Sequence, residues 1–115
     1  MSAHLRMIVS RKSSNTNLNV LLDKLQKSSF ITFNYNKEIY WKDNQCEIIE
    51  VTIDCEVPLS ESTWIGFLDG FSDNVSVSKD ETYMEIALFS EISNENDVFI
   101  TMYVPLEMID IRNNL

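Results

Sequence analysis

The sequence predicts an α+β fold: a mostly antiparallel, twisted sheet of five to seven strands, with one helix near the N-terminus and a second, short helix in mid-chain packed on it. Three observations point there. Residues 49–57 alternate apolar and polar without a break. Leu18, Leu21, Leu22 and Leu25 recur at helical spacing, and turn-forming pairs separate the apolar segments along the chain. Many strands broken by few helices build an antiparallel sheet with its helices on one side.

Leu5, Met7 and Val9 alternate with Arg6 and Ile8, the pattern of a short first strand. Ser13 to Asn17 then offer hydroxyls and amides able to cap a helix. The leucine stripe defines that helix, with Asp23, Lys24 and Gln26 on its other face and an end near Lys27 and Ser28. From Phe30 the period becomes two. Ile31, Phe33 and Tyr35 alternate with Thr32 and Asn34, and Asn36-Lys37 reads as a turn into Ile39, Tyr40 and Trp41. Asp43-Asn44 marks the next turn. The clearest strand follows, with Ile49, Val51, Ile53, Cys55 and Val57 on one face and Glu50, Thr52, Asp54 and Glu56 on the other.

Pro58 stops that strand and Ser60 can cap a second helix, in which Trp64, Leu68 and Phe71 share a stripe. Gly66 weakens this helix by about 1 kcal/mol relative to alanine, and Gly70 suits its end. Val75 and Val77 suggest a short strand and Lys79-Asp80 a turn. Tyr83 to Phe89 and Val98 to Val104 are two further strands, joined by the polar stretch Ser90 to Asp97; Glu107 to Leu115 can add a helical turn. Val51 to Ser60 matches Val98 to Glu107 at five of ten positions, and both segments end in Val-Pro-Leu. This similarity supports strand ends at Pro58 and Pro105.

A length of 115 residues suits one domain, 1–115, with a single core. A net charge of -9 disfavours nucleic acid, whose phosphates repel it, and anionic membrane surfaces alike. Met1 to Ser10 is interrupted by His4 and Arg6, and no apolar run reaches eighteen residues, so a cytoplasmic location is expected. Cys46 and Cys55 would stand about 30 Å apart on one strand and face opposite ways, too far for a disulfide.

Charge is distributed unevenly along the chain. Residues 1–42 carry seven Lys or Arg against Asp23 and Glu38, whereas residues 43–111 carry Lys79 alone against sixteen acids. Glu50, Asp54 and Glu56 share one strand face, with about 7 Å between alternate positions. Asp69, Asp73, Asp80, Glu81 and Glu85 are expected to gather around the following helix and strand. A solvated acidic surface that keeps the protein in solution is the plain account of this pattern. The sharper account is a docking face for a basic protein. Phe67 fits the Trp64/Leu68/Phe71 stripe poorly and is the candidate exposed anchor, although burial in the core is the commoner fate of such a ring.

No catalytic, cofactor or metal site is expected. His4 is the only histidine and lies beside the terminus, where no nucleophile is held against it. Two distant cysteines and one histidine do not make a zinc site, and no EF-hand loop is present. The two glycines, Gly66 and Gly70, cannot build a phosphate cradle. Asn74-Val75-Ser76 matches a glycosylation sequon that a cytoplasmic chain would not use. Eighteen acids always permit some carboxylate pair, so a small carboxylate-based hydrolase stays as one alternative.

In size and charge the chain resembles the bacterial immunity proteins that protect producers from contact-delivered toxins, without a diagnostic motif. The resemblance implies a non-enzymatic inhibitor, an antitoxin-type protein that neutralises a basic toxin such as a nuclease by occupying its cationic surface. Its partner would be a basic toxin or effector domain, and the chain itself a monomer or weak homodimer. The order helix, three strands, helix, strands is also similar to that of small secretion chaperones, but residues 105–115 are too short for their closing helix.

Overall fold

The computed structural model describes residues 1–71, 74–90 and 98–111. In chain order they form β1 (Ser2–Ser10), α1 (Ser14–Lys27), β2 (Ile31–Ile39), β3 (Cys46–Cys55), α2 (Glu61–Gly66), β4 (Ser76–Lys79), β5 (Tyr83–Ser90) and β6 (Val98–Pro105). A 3-10 turn, Leu106–Met108, follows. The strands make one six-stranded sheet in the order β2-β3-β1-β6-β5-β4, with every neighbouring pair antiparallel. The fold is the expected α+β one, with one helix near the N-terminus and one in mid-chain. Two strands, not three, separate the helices, because β2 runs unbroken where a turn was expected.

The pleat explains which side is covered. In β1, Ala3, Leu5, Met7 and Val9 are buried, and in β3 so are Ile49, Val51 and Ile53. β5 and β6 add Met84, Ile86 and Leu88, then Val98, Ile100, Met102 and Val104. Leu18, Leu21 and Leu25 of α1 lie over this face and belong to the same core. Each fully buried leucine contributes about 1.5–3 kcal/mol. The opposite face of the sheet carries no layer of described residues.

Asn36 and Lys37 lie inside β2, where they pair with Glu50 and Ile49. The long β3 offers hydrogen bonds along nine positions, and this pairing overrides the local turn preference. Lys37 Nζ also donates to Asn15 Oδ1 at 2.6 Å and lies 3.8 Å from Glu47. The chain reverses after Ile39 instead, where Gln45 N–H donates to Asp43 Oδ1 at 2.9 Å. At the start of α1, the Ser13 side chain makes no cap; Ser14, buried, donates to Glu47 Oε1 at 2.9 Å.

Ser60 caps α2 by accepting from Thr63 N–H at 3.2 Å. The helix is only six residues long and ends at Gly66, so Gly70, expected at its end, lies four residues beyond it. Trp64 is fully buried and its indole N–H donates to the Met108 carbonyl at 3.1 Å. Phe67 is a correction: it is 3 % exposed and packs edge-on to Trp64 at 5.8 Å. After Gly66 the chain continues in tight turns, with Phe67 N–H donating to the Trp64 carbonyl at 3.3 Å, and this three-residue spacing sets Phe67 on the buried Trp64. Val57 is also corrected, being exposed beyond the end of β3.

The Val-Pro-Leu segments are not equivalent corners. Leu5 pairs with both Val51 and Met102, so the registers of β3 and β6 differ by four residues from the sequence match. Pro58 lies three residues past its strand, whereas Pro105 ends its own. Leu59 does bridge to Ile109, and Leu59 N–H donates to the Met108 carbonyl at 3.0 Å. Cys46 and Cys55 stand at opposite ends of β3, unbridged. No helix among the described residues is long and apolar enough to cross a membrane.

Candidate functional site

Strand direction decides which loops meet. β1, β2 and β5 begin, and β3, β4 and β6 finish, at one end of the sheet. Met1, Phe30 and Glu56 therefore share that end with the β4–β5 turn and the segment after β6. Glu56 N–H donates to the Phe30 carbonyl at 3.0 Å, and Leu106 N–H donates to the Thr82 carbonyl at 3.1 Å. Met1, Glu56, Val57, Pro58 and Glu107 line one shallow concavity of about 240 Å³.

Five carboxylates collect here: Asp54, Glu56, Asp80, Glu81 and Glu107. They form a row across the strand ends from β3 to the β4–β5 turn, about 19 Å at most at close to 4.8 Å per strand. None of the five makes an ion pair among the described residues. Asp54 accepts from the Ser2 hydroxyl. Lys79, the nearby cation of β4, is engaged with Glu61 at 2.7 Å. Asp80 Oδ1 accepts from Thr82 N–H at 2.7 Å and Tyr83 N–H at 3.0 Å, and these backbone bonds hold its carboxyl below the usual range.

Three exposed apolar side chains sit at the same end, with Phe30 at its β2 edge. Met1 is 71 % exposed, Phe30 59 % and Val57 45 %. Phe30 has φ of 66°, the one positive value outside glycine among the described residues. An L-residue pays roughly 1–2 kcal/mol for that conformation. The turn from α1 into β2 thus holds an aromatic ring outward at the acidic end.

The other expected acids lie elsewhere. Glu50 and Glu85 are on the uncovered sheet face, and Glu50 is paired there with Arg6 at 3.4 Å. Asp69 is exposed in the turn after α2, on the helical side. Asp73 is outside the described residues. The single patch anticipated from the charge pattern is thus divided: Asp54, Glu56, Asp80 and Glu81 come together, joined by Glu107, which the sequence did not single out. No periodic signal marks Glu107; it arrives because β6 ends beside β1. Phe30 was equally hidden, since nothing in Ser28-Ser29-Phe30 calls for a left-handed residue.

A second concavity, of about 580 Å³, lies on the uncovered face and is lined by His4, Arg6, Glu50, Glu85, Phe99 and Tyr103 among others. His4 is corrected here: it stands in β1, a central strand, and not at a loose terminus. A carboxylate hydrolase would need two buried acids facing one pocket. Glu50 is exposed and Glu85 half-buried, with three strand spacings between them. Among the described residues no three His, Cys, Asp or Glu side chains converge as metal ligands. No protein-family model matches the chain, and neither the curated proteins nor the solved structures hold a significant match to it.

Proposed function

We propose that the chain is a non-enzymatic, immunity-type inhibitor that neutralises a basic toxin, such as a nuclease, by laying its acidic end over the toxin's cationic surface. One observation carries this reading: five carboxylates that make no ion pair among the described residues share one end of the sheet with three exposed apolar side chains. An apolar centre with a polar rim is how protein interfaces are built, and a large ring at the centre commonly supplies the anchor. Phe30 supplies the ring at the β2 edge, next to Glu56, with Val57 and Met1 following across β3 and β1. The carboxylates steer a cationic partner, which raises association rates toward about 10⁸–10⁹ M⁻¹s⁻¹ at low salt. A cytoplasmic location goes with this role, since a producer must be protected from inside.

The test takes the domain encoded next to this chain's reading frame, which this reading expects to be basic; a neighbour that is not basic counts against it. Titrated with the chain, that domain is expected to lose its activity at 1:1 stoichiometry. Affinity should fall as salt rises. Reversing Glu56, Glu81 and Glu107 to lysine should slow association about tenfold or more with the fold intact. Inhibition that ignores both salt and the three reversals would remove the acidic end from the mechanism.

A further inference from the structure

We propose that the uncovered face of the sheet is the contact between two copies of this chain, related by a two-fold axis running along β6. The face shares Asp54 and Asp80 with the acidic end, and the substitutions that test it lie elsewhere. The face displays two edge-to-face ring pairs, Tyr83–Tyr103 at 5.4 Å and Phe89–Phe99 at 6.1 Å. Phe89 is 57 % exposed and Phe99 47 %. Ile8 and Ile48 continue the rung of Phe89 and Phe99, so an apolar row crosses β5, β6, β1 and β3.

The area suits a second copy. With the axis along β6, β2 overhangs and five strands overlap their counterparts; at about 4.8 Å per strand and about four outward rungs near 7 Å they bury roughly 670 Å² per copy. That lies at the lower end of what each partner contributes to a stable interface, roughly 600–1,000 Å². Two sheets can stack face to face about 10 Å apart with nearly aligned strands.

Complementarity fixes the axis. β6 is flanked by β1 on one side and β5 on the other. On one rung, Tyr103 lies between His4 of β1 and Glu85 of β5; on the next, Thr101 lies between Arg6 and Ala87; on the third, Phe99 lies between Ile8 and Phe89. Rotation about an axis along β6 keeps each rung and exchanges the two sides. His4 then faces the second copy's Glu85, with Arg6 beside it, and Ile8 faces the second copy's Phe89. Tyr103 and Phe99 each meet their own counterparts. Shape follows the same operation. The 580 Å³ concavity is centred on β1, and the ring that reaches it is Phe89, the most exposed of the four. An axis along either neighbouring strand, β1 or β5, loses the pairing of His4 and Arg6 with Glu85.

Sedimentation velocity of the full chain at pH 7, up to about 100 µM, reads an affinity of the strength expected for a modest interface. A species of twice the chain mass is expected. Phe99→Asp, at an already exposed position, should weaken it about 100-fold or more, since the substitution is made twice in the dimer. Glu85→Lys should weaken it about tenfold, and adding His4→Glu in the same chain should restore it. Circular dichroism checks that each variant folds. A monomer throughout, a dimer indifferent to Phe99→Asp, or a failure of His4→Glu to restore Glu85→Lys overturns the proposal. So does a monomeric chain whose complex with a basic protein is lost on Phe99→Asp, which gives the face to that protein.

Discussion

Replacing Phe30 by alanine and, separately, by glycine isolates the backbone strain at the acidic end. Both variants remove the ring, so both lose the same partial burial and differ only in what the backbone tolerates. At φ of 66° an alanine retains a penalty of about 1–2 kcal/mol that glycine escapes. Glycine brings an opposing cost of about 0.5–1 kcal/mol, from the greater freedom of its unfolded chain. The glycine variant should therefore be the more stable by roughly 0.5–1 kcal/mol, a melting-temperature difference of about 2–4 °C for a chain of this size. Urea unfolding followed by tryptophan fluorescence measures it, with equal slopes required before midpoints are compared. The same pair of substitutions at exposed Thr32, inside β2, should give the opposite sign, with glycine the weaker. A glycine variant at position 30 no more stable than the alanine variant refutes the strain, and with it the idea that the turn spends stability to hold the ring outward.

Trp64→Phe should cost about 1–2 kcal/mol, from one lost hydrogen bond and a small void, with the Met108 carbonyl still satisfied by Leu59 N–H. Unchanged urea midpoints would place that side chain outside the cooperative core. Burial, then the Asp54 charge, pushes the Cys55 thiol from 9.0 up to about 11, so its thiolate at pH 8 is about a hundredfold scarcer than that of a free thiol. Alkylation mapped by mass spectrometry should find it slow in the folded protein and fast in urea. A thiol whose folded value is raised favours the folded state at lower pH. That contribution should be complete below pH 9.0 and fade as pH climbs toward about 11, a decline absent from Cys55→Ala. Asp80 has the opposite sign: its lowered carboxyl stabilises the fold above 3.8, and the gap between the protein and Asp80→Ala should close as pH falls below that. A gap that persists in acid would detach the turn from the carboxylate charge.

Local order in the chain was enough to identify the elements whose physics is local. The alternation of Ile49, Val51 and Ile53 with Glu50, Thr52 and Asp54 places a strand with one buried side, because side chains on a pleated strand must alternate. The leucine stripe of α1, the cap at Ser60 and the β4–β5 turn are short-range in the same sense. Asn36-Lys37 failed because pairing with β3 outweighs turn preference, and Phe67 failed because the three-residue turns after Gly66 set it on Trp64. What no periodicity contains is which strands become neighbours. That choice puts β1 at the centre, lays His4 and Glu85 on either side of β6, and brings Glu107 and Phe30 beside Glu56. Sequence alone determined that the later residues are acidic and that the strands have a wet side. Only the tertiary structure decided that some acids meet at one end while others sit on an open face, since a charge's neighbours depend on contacts between residues far apart in the chain.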